Sequence, residues 1–158
     1  MTMEEEDKEQ GTPSEPAGED EKKLGLMAQI QKLDIGQKAK LARSGDKEVR
    51  SILIKDSNKL VAMATLMNPK MTVQEIEMVA ASRNVNDEIL REIGKNKDWC
   101  KSYTVVLNLV NNPKTPVGIT LSYVPRLTTR DLRFLAKSKG VPEPVRVTAK
   151  RLVEKRQF

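Results

Sequence analysis

The chain has 158 residues, 32% of them charged and 38% hydrophobic, with a formal net charge of +6. That length suits one compact domain with a tail, and no apolar run approaches the roughly 18 residues needed to cross a bilayer. With no histidine and a single cysteine, Cys100, the chain cannot build Ser-His-Asp or Cys-His nucleophilic sites, Cys/His zinc sites or an intramolecular disulfide.

Neither a Walker-type phosphate loop nor a Gly-x-Gly-x-x-Gly turn occurs. The sequence therefore predicts a protein that is not an enzyme and has no cofactor and no metal. The lone thiol and an acidic N-terminus unlike a targeting segment predict a cytoplasmic location.

Residues 1–23 hold nine acidic and three basic side chains, a net of −6, whereas residues 24–158 hold 25 basic and 13 acidic, a net of +12. The first segment offers too little apolar surface to offset its ordering entropy, so a disordered acidic tail is expected over 1–23 and a helical domain over 24–158. A tail of that sign beside a basic body could fold back and compete with an acidic partner, or serve only as a solubilising linker.

From Leu24 the periodicity is helical and the pieces are short. Leu26, Ile30 and Leu33 form a stripe that stops before Gly36. A helix over 38–44 closes at Gly45, suited to a left-handed C-terminal cap. Asp46 caps a helix bearing Val49, Ile52 and Leu53; Ser57 or Asn58 caps the next, with Leu60, Ala64 and Met67 on one face. Thr72-Val73-Gln74-Glu75 is a capping box before Ile76, Val79 and Ala80. Asn86 or Asp87 opens a helix with Ile89, Leu90 and Ile93. Residues 98–110 read as one longer, buried helix containing Trp99, Tyr103, Val106 and Leu107. Thr115-Pro116 is a start signal, with a capping hydroxyl and proline at the first helical position. Thr128 starts the helix of Leu132 and Leu135, which ends by Gly140, and the last helix begins at 142–144 with Val145, Ala149 and Leu152 on one stripe. This makes an all-α chain of about ten short helices.

A phrase recurs among them. Ala42-Arg43-Ser44 leads to Glu48-Val49-Arg50, Ala80-Ala81-Ser82 to Glu88-Ile89-Leu90-Arg91, and Ala136-Lys137-Ser138 to Glu143-Pro144-Val145-Arg146. Asn68-Pro69-Lys70-Met71-Thr72-Val73 is echoed by Asn112-Pro113-Lys114-Thr115-Pro116-Val117. Proline ends one helix in each echo, and threonine caps the next. Recurrence at a few tens of residues is the signature of helical repeats. On these phrases, residues 36–156 resemble a short α-solenoid of the HEAT-like or variant leucine-rich-repeat type, built of helix pairs, and uncharacterised bacterial helical-repeat proteins. The resemblance implies a packing pattern and carries over no catalytic residue. Irregular repeat lengths and the placement of Gly118 and Pro144 leave a non-repetitive helical bundle as the other architecture.

Arg50, Arg91 and Arg146 could line an anion-binding face or make local ion pairs with the acid of their own phrase, the reading favoured here. Ser44, Ser82 and Ser138 read as turn and cap residues, Cys100 and Trp99 as core, and Met63, Met67, Met71 and Met78 as core fillers rather than a binding groove. The candidate partner-binding residues are the C-terminal cations Arg126, Arg130, Arg133, Lys137, Lys139, Arg146, Lys150 and Arg151, with Arg146 and Lys150 on one helix face. A solvated face is the plain reading of such a run. As a site it would serve a protein–protein interaction scaffold or adaptor that presents a basic surface to an acidic protein or peptide. The alternative is sequence-independent nucleic-acid binding through the same face; aromatic residues, 3% of the chain, are too few for a stacking platform.

Overall fold

The computed structural model describes residues 17–157, and the chain divides into two units, residues 1–33 and 34–158. All regular structure among the described residues is helical, as the periodicity requires, with no strand. The first unit contains α1 (Ala17–Gln31). The second contains α2 (Ile35–Ser44), α3 (Lys47–Leu53), α4 (Lys59–Leu66), α5 (Val73–Ala81), α6 (Asp87–Lys95), α7 (Tyr103–Asn111), α8 (Val117–Tyr123), α9 (Thr129–Lys137) and α10 (Glu143–Arg156). Single 3-10 turns over Trp99–Lys101 and Val124–Arg126 precede α7 and follow α8.

The expected disorder of residues 1–16 lies outside the described residues. Residues 17–23, assigned to the same tail, belong instead to α1. Strong helix formers fill this stretch, Glu19 and Asp20 complement the N-terminal dipole, and Glu19 stands four residues before Lys23. Propensity and local charge account for the first turns of this helix, because residues 18–29 are exposed except for half-buried Leu26, and burial enters only at Ile30 near its end.

In the second unit the caps form largely as their side chains dictate. Asp34 and Thr72 each make a reciprocal capping box, with Gln37 and Glu75. Asp46, Asn58, Asn86, Ser102 and Thr128 accept from free first-turn amides. The single helix expected over 98–110 is broken, because Ser102 has extended backbone and its hydroxyl accepts from the Val105 amide. Thr115 does not cap α8; its hydroxyl donates to the Leu109 carbonyl at 2.6 Å, and Pro116 precedes the first helical residue, Val117. Gly45 is extended (φ −66°) rather than left-handed. A Cβ there would stand 2.5 Å from Val49 Cγ1 and 2.8 Å from the Leu41 carbonyl, so close approach is what requires glycine.

One contiguous core runs from Ile54 to Ala149, with Ile76, Ile89, Leu90, Ile93, Leu109, Leu132 and Leu135 almost fully buried. Helix α4 meets the core through a face the periodicity did not select. Val61, Ala62, Thr65 and Leu66 are buried, whereas Leu60 and Met67 are 72% and 59% exposed. Its sequence is apolar nearly all round, so two stripes one residue apart compete and packing chooses between them. Met63 and Met71 pack against the core as fillers, but Met78, like Met67, is exposed.

The recurrent phrases fold into clasps on carbonyl groups at helix ends. Asn68 Nδ2 donates to the Ala42 and Gly45 carbonyls (2.9 and 3.3 Å), and its Oδ1 accepts from the Lys70 amide. Asn112 Nδ2 donates to the Ala80 and Ser82 carbonyls, both at 2.8 Å, and its Oδ1 accepts from the Lys114 amide. Each Asn-Pro-Lys turn thereby fastens an Ala-x-Ser turn that precedes it in the chain. Ser82 and Ser138 act in turns, accepting from the amides two residues on, whereas Ser44, the last residue of α2, donates one helical turn back to the Lys40 carbonyl.

Arg50 makes a buried ion pair. Its Nε and Nη2 donate to the two Glu75 carboxylate oxygens (2.9 and 3.1 Å), and its Nη1 donates to the Gly45 carbonyl at 2.9 Å. Both residues are buried. Burial alone pushes the Glu75 carboxyl up, but hydrogen bonds from Arg50 and Thr72 and the Arg50 charge outweigh it and hold the group below its ordinary 4.5.

Because that value is depressed, the Glu75 contribution is complete at neutral pH. It declines once pH falls below about 4.5 and is lost below the folded-state value. Urea denaturation of the full chain should therefore show a wild-type advantage over Glu75→Gln that is constant near pH 7 and shrinks in acid; a pH-independent difference would contradict the pairing. Arg50→Ala and Glu75→Ala should each cost about 3–5 kcal/mol, and the double variant much less than their sum. Asn68→Ala and Asn112→Ala should each cost about 1–3 kcal/mol by the same measurement, because buried carbonyls lose their donor.

Candidate functional site

The residues proposed for binding lie on the last two helices and the segments around them. The Thr128 hydroxyl accepts from the Asp131 amide and starts α9, and the turn through Ser138 and Gly140 leads into α10, which packs against α9. Leu132 and Leu135 face the core from α9, while Arg130, Arg133, Phe134 and Lys137 are exposed. Arg130, Arg133 and Lys137 are spaced three and four residues apart, so they form one stripe opposite the buried leucines. On α10, Val145 and Ala149 are buried and Lys150 and Arg151 exposed.

The acids nearby leave these cations unneutralised. Asp131, the single acid on α9, accepts from the Tyr103 hydroxyl at 2.5 Å, and that hydroxyl also accepts from the Thr128 amide. Among the described residues, no ion pair within 4.0 Å includes any of the eight candidate cations. Arg130, Arg133, Lys137, Lys139, Lys150 and Arg151 stand exposed and have no carboxylate partner among the described residues.

Two candidates are engaged elsewhere. The Arg146 guanidinium turns back to the Val141 and Ser138 carbonyls (2.6 and 3.4 Å) and is half-buried. It does not share an outward face with Lys150; it is a clasp, like Arg50 on Gly45, each reaching the carbonyl five residues before it. Arg126 lies over the Tyr123 ring, 5.5 Å from its centroid, while remaining exposed. Arg156, beyond the candidate set, likewise donates to the Leu127 and Pro125 carbonyls.

The three phrase arginines therefore do different things. Arg91 makes the local ion pair expected of it, with Glu88 at 3.7 Å on the surface. Arg50 bypasses Glu48 for Glu75, and Arg146 bypasses Glu143 for backbone carbonyls. Local spacing made the neighbouring acid the obvious partner, but a buried carbonyl or a carboxylate from another helix gains more from a guanidinium, because both would otherwise lie desolvated.

Phe134 was not singled out by sequence reasoning. Its 67% exposure was readable, since it falls at the position of α9 flanked by the cation stripe rather than by Leu132 and Leu135. Elsewhere the chemistry is structural. The Cys100 thiol donates to the Ile93 carbonyl at 3.2 Å, and the Tyr123 hydroxyl donates to the Gly94 carbonyl at 2.5 Å. Burial, with the Cys100 hydrogen bond second, pushes the Tyr123 hydroxyl up to about 12, so it remains a donor. Trp99 packs against the core as expected; Tyr103, expected beside it, lies at the surface with its hydroxyl on Asp131. Among the described residues, no group of three or more Cys, Asp or Glu could hold a metal ion, and no helix is long and apolar enough to cross a membrane.

No family model, no curated protein and no solved structure matches this chain.

Proposed function

We propose that this chain is a non-enzymatic interaction module, a short helical-repeat body of the HEAT-like kind that presents the basic outer faces of α9 and α10 to an acidic protein or peptide. One observation carries the reading: six exposed cations on these helices and their turn have no carboxylate partner among the described residues, while the acid of α9 is committed to Tyr103. Charge left unpaired on packed helices steers an oppositely charged partner and sets the rate and register of its docking. The repeat reading is supported by the Asn68 and Asn112 clasps, the same device used twice at an interval of 44 residues. Recurrence of that kind suits a scaffold whose binding depends on surface pattern rather than on a reaction.

The same stripe has the spacing to track phosphates, so nucleic acid is the competing ligand. The full chain should bind labelled poly-glutamate at low salt, more weakly as salt rises. Arg133→Glu with Lys137→Glu should weaken that binding about tenfold or more at low salt, with the urea midpoint unchanged because both side chains are exposed. Random-sequence duplex DNA or RNA bound more tightly than the acidic polymer, with a steep salt slope, would overturn the protein-partner reading. So would the absence of any poly-glutamate binding at low salt.

A further inference from the structure

The stripe on α9 is not purely electrostatic, because it runs beside an exposed aromatic ring. Arg130 and Lys137 stand four residues before and three after Phe134, its neighbours on the helix surface, and Arg133 lies between them along the stripe. Phe134 contributes nothing to the core face, which Leu132 and Leu135 supply. A single exposed apolar residue is ordinary on a protein surface. An exposed ring bordered by three cations that have no ion-pair partner among the described residues is a different arrangement: aromatic and arginine side chains are the groups that concentrate binding energy at interface centres.

The same surface argues between partner classes. Strand-tracking nucleic-acid sites place successive bases on several aromatic faces. Here α9 exposes one ring of its own, the neighbouring Tyr103 is tied at its hydroxyl to Asp131 and the Thr128 amide, and the large apolar residue exposed on α10 is Val147, 55% exposed, which has no π-face on which a base can stack. An exposed ring bordered by cations suits a peptide that carries both carboxylates and apolar side chains.

We infer that the partner presents an amphipathic acidic segment, with an apolar side chain seated on Phe134 and carboxylates meeting Arg130, Arg133 and Lys137. This rests on the protein-partner reading above and adds that acidity alone is not sufficient. The test uses the full chain and three labelled probes at low salt: a poly-glutamate peptide, a longer peptide of equal charge with leucines spaced three and four apart among its glutamates, and a single-stranded oligonucleotide. The leucine-containing peptide should bind about tenfold more tightly than poly-glutamate, the loss typical of truncating one anchor residue. Phe134→Ala should erase that gap while leaving poly-glutamate binding and the urea midpoint unchanged, and Phe134→Leu should keep part of it. Equal affinity of the two peptides for the wild type, or a gap that survives in Phe134→Ala, would overturn this inference while leaving the protein-partner reading intact. Binding of neither peptide, or tighter binding of the oligonucleotide than of both, would overturn that reading and this inference with it.

Discussion

Satisfaction of backbone groups at helix ends is the constraint on which this structure depends. Among the described residues, nine of the ten α-helices begin within the second unit, and most of those span only seven to ten residues. Because the first four amides and last four carbonyls of any helix lack intrahelical partners, short helices leave most of their backbone polar groups to be bonded by something else. Side chains supply much of this. Asp34, Asp46, Asn58, Thr72, Asn86, Ser102 and Thr128 accept from amides at helix starts. Asn68, Asn112, Arg50, Arg146, Cys100 and Tyr123 donate to carbonyls at or just beyond helix ends. Among the described residues, no buried side-chain nitrogen or oxygen is left without a partner.

That constraint also sorts the cations. A guanidinium is planar and carries five donors in a fixed fork, so one arginine can bond a carboxylate and a carbonyl together. Arg50 does this between Glu75 and Gly45, and Arg146 and Arg156 each bond two carbonyls. Arg130, Arg133, Lys137, Lys150 and Arg151 have no such duty. Their exposure follows from the packing, in which Leu132, Leu135, Val145 and Ala149 take the core faces of α9 and α10. The net charge of the chain therefore conceals two populations, one holding turns together and one facing solvent, and only the second has charge to offer a partner.

Much of the local structure was legible in the residues. Capping side chains and apolar stripes located α5, α6 and α9, because the signal in each is a single polar cap followed by a single apolar face, and α10, which begins after Pro142 without a side-chain cap, was located by its prolines and its stripe. Legibility failed where two local solutions were nearly equal. The Val-rich stretch after Trp99 is helical in pattern throughout, yet Ser102 interrupts it, since a serine hydroxyl can cap as readily as it can face solvent. Helix α4 offers two apolar stripes, and packing buried the one containing Val61 and Leu66. At the candidate site, the identity of the cations was plain, but which of them are bonded inward was not. Arg146 and Lys150 have the same spacing relation as many surface pairs, and the difference lies in carbonyls that the turn brings beneath Arg146.

The sequence by itself determined that the described chain would be helical, where most helices would begin, and that a basic run would lie on the last two. Those properties follow from periodicity, capping chemistry and charge, which act over a few residues. Tertiary structure alone decided that Arg50 would meet Glu75 across 25 residues of sequence, that two asparagines would clasp distant turns, and that Phe134 would be left exposed beside unpaired cations. Each of these depends on which buried groups are left without water once the helices pack, and no local pattern records that.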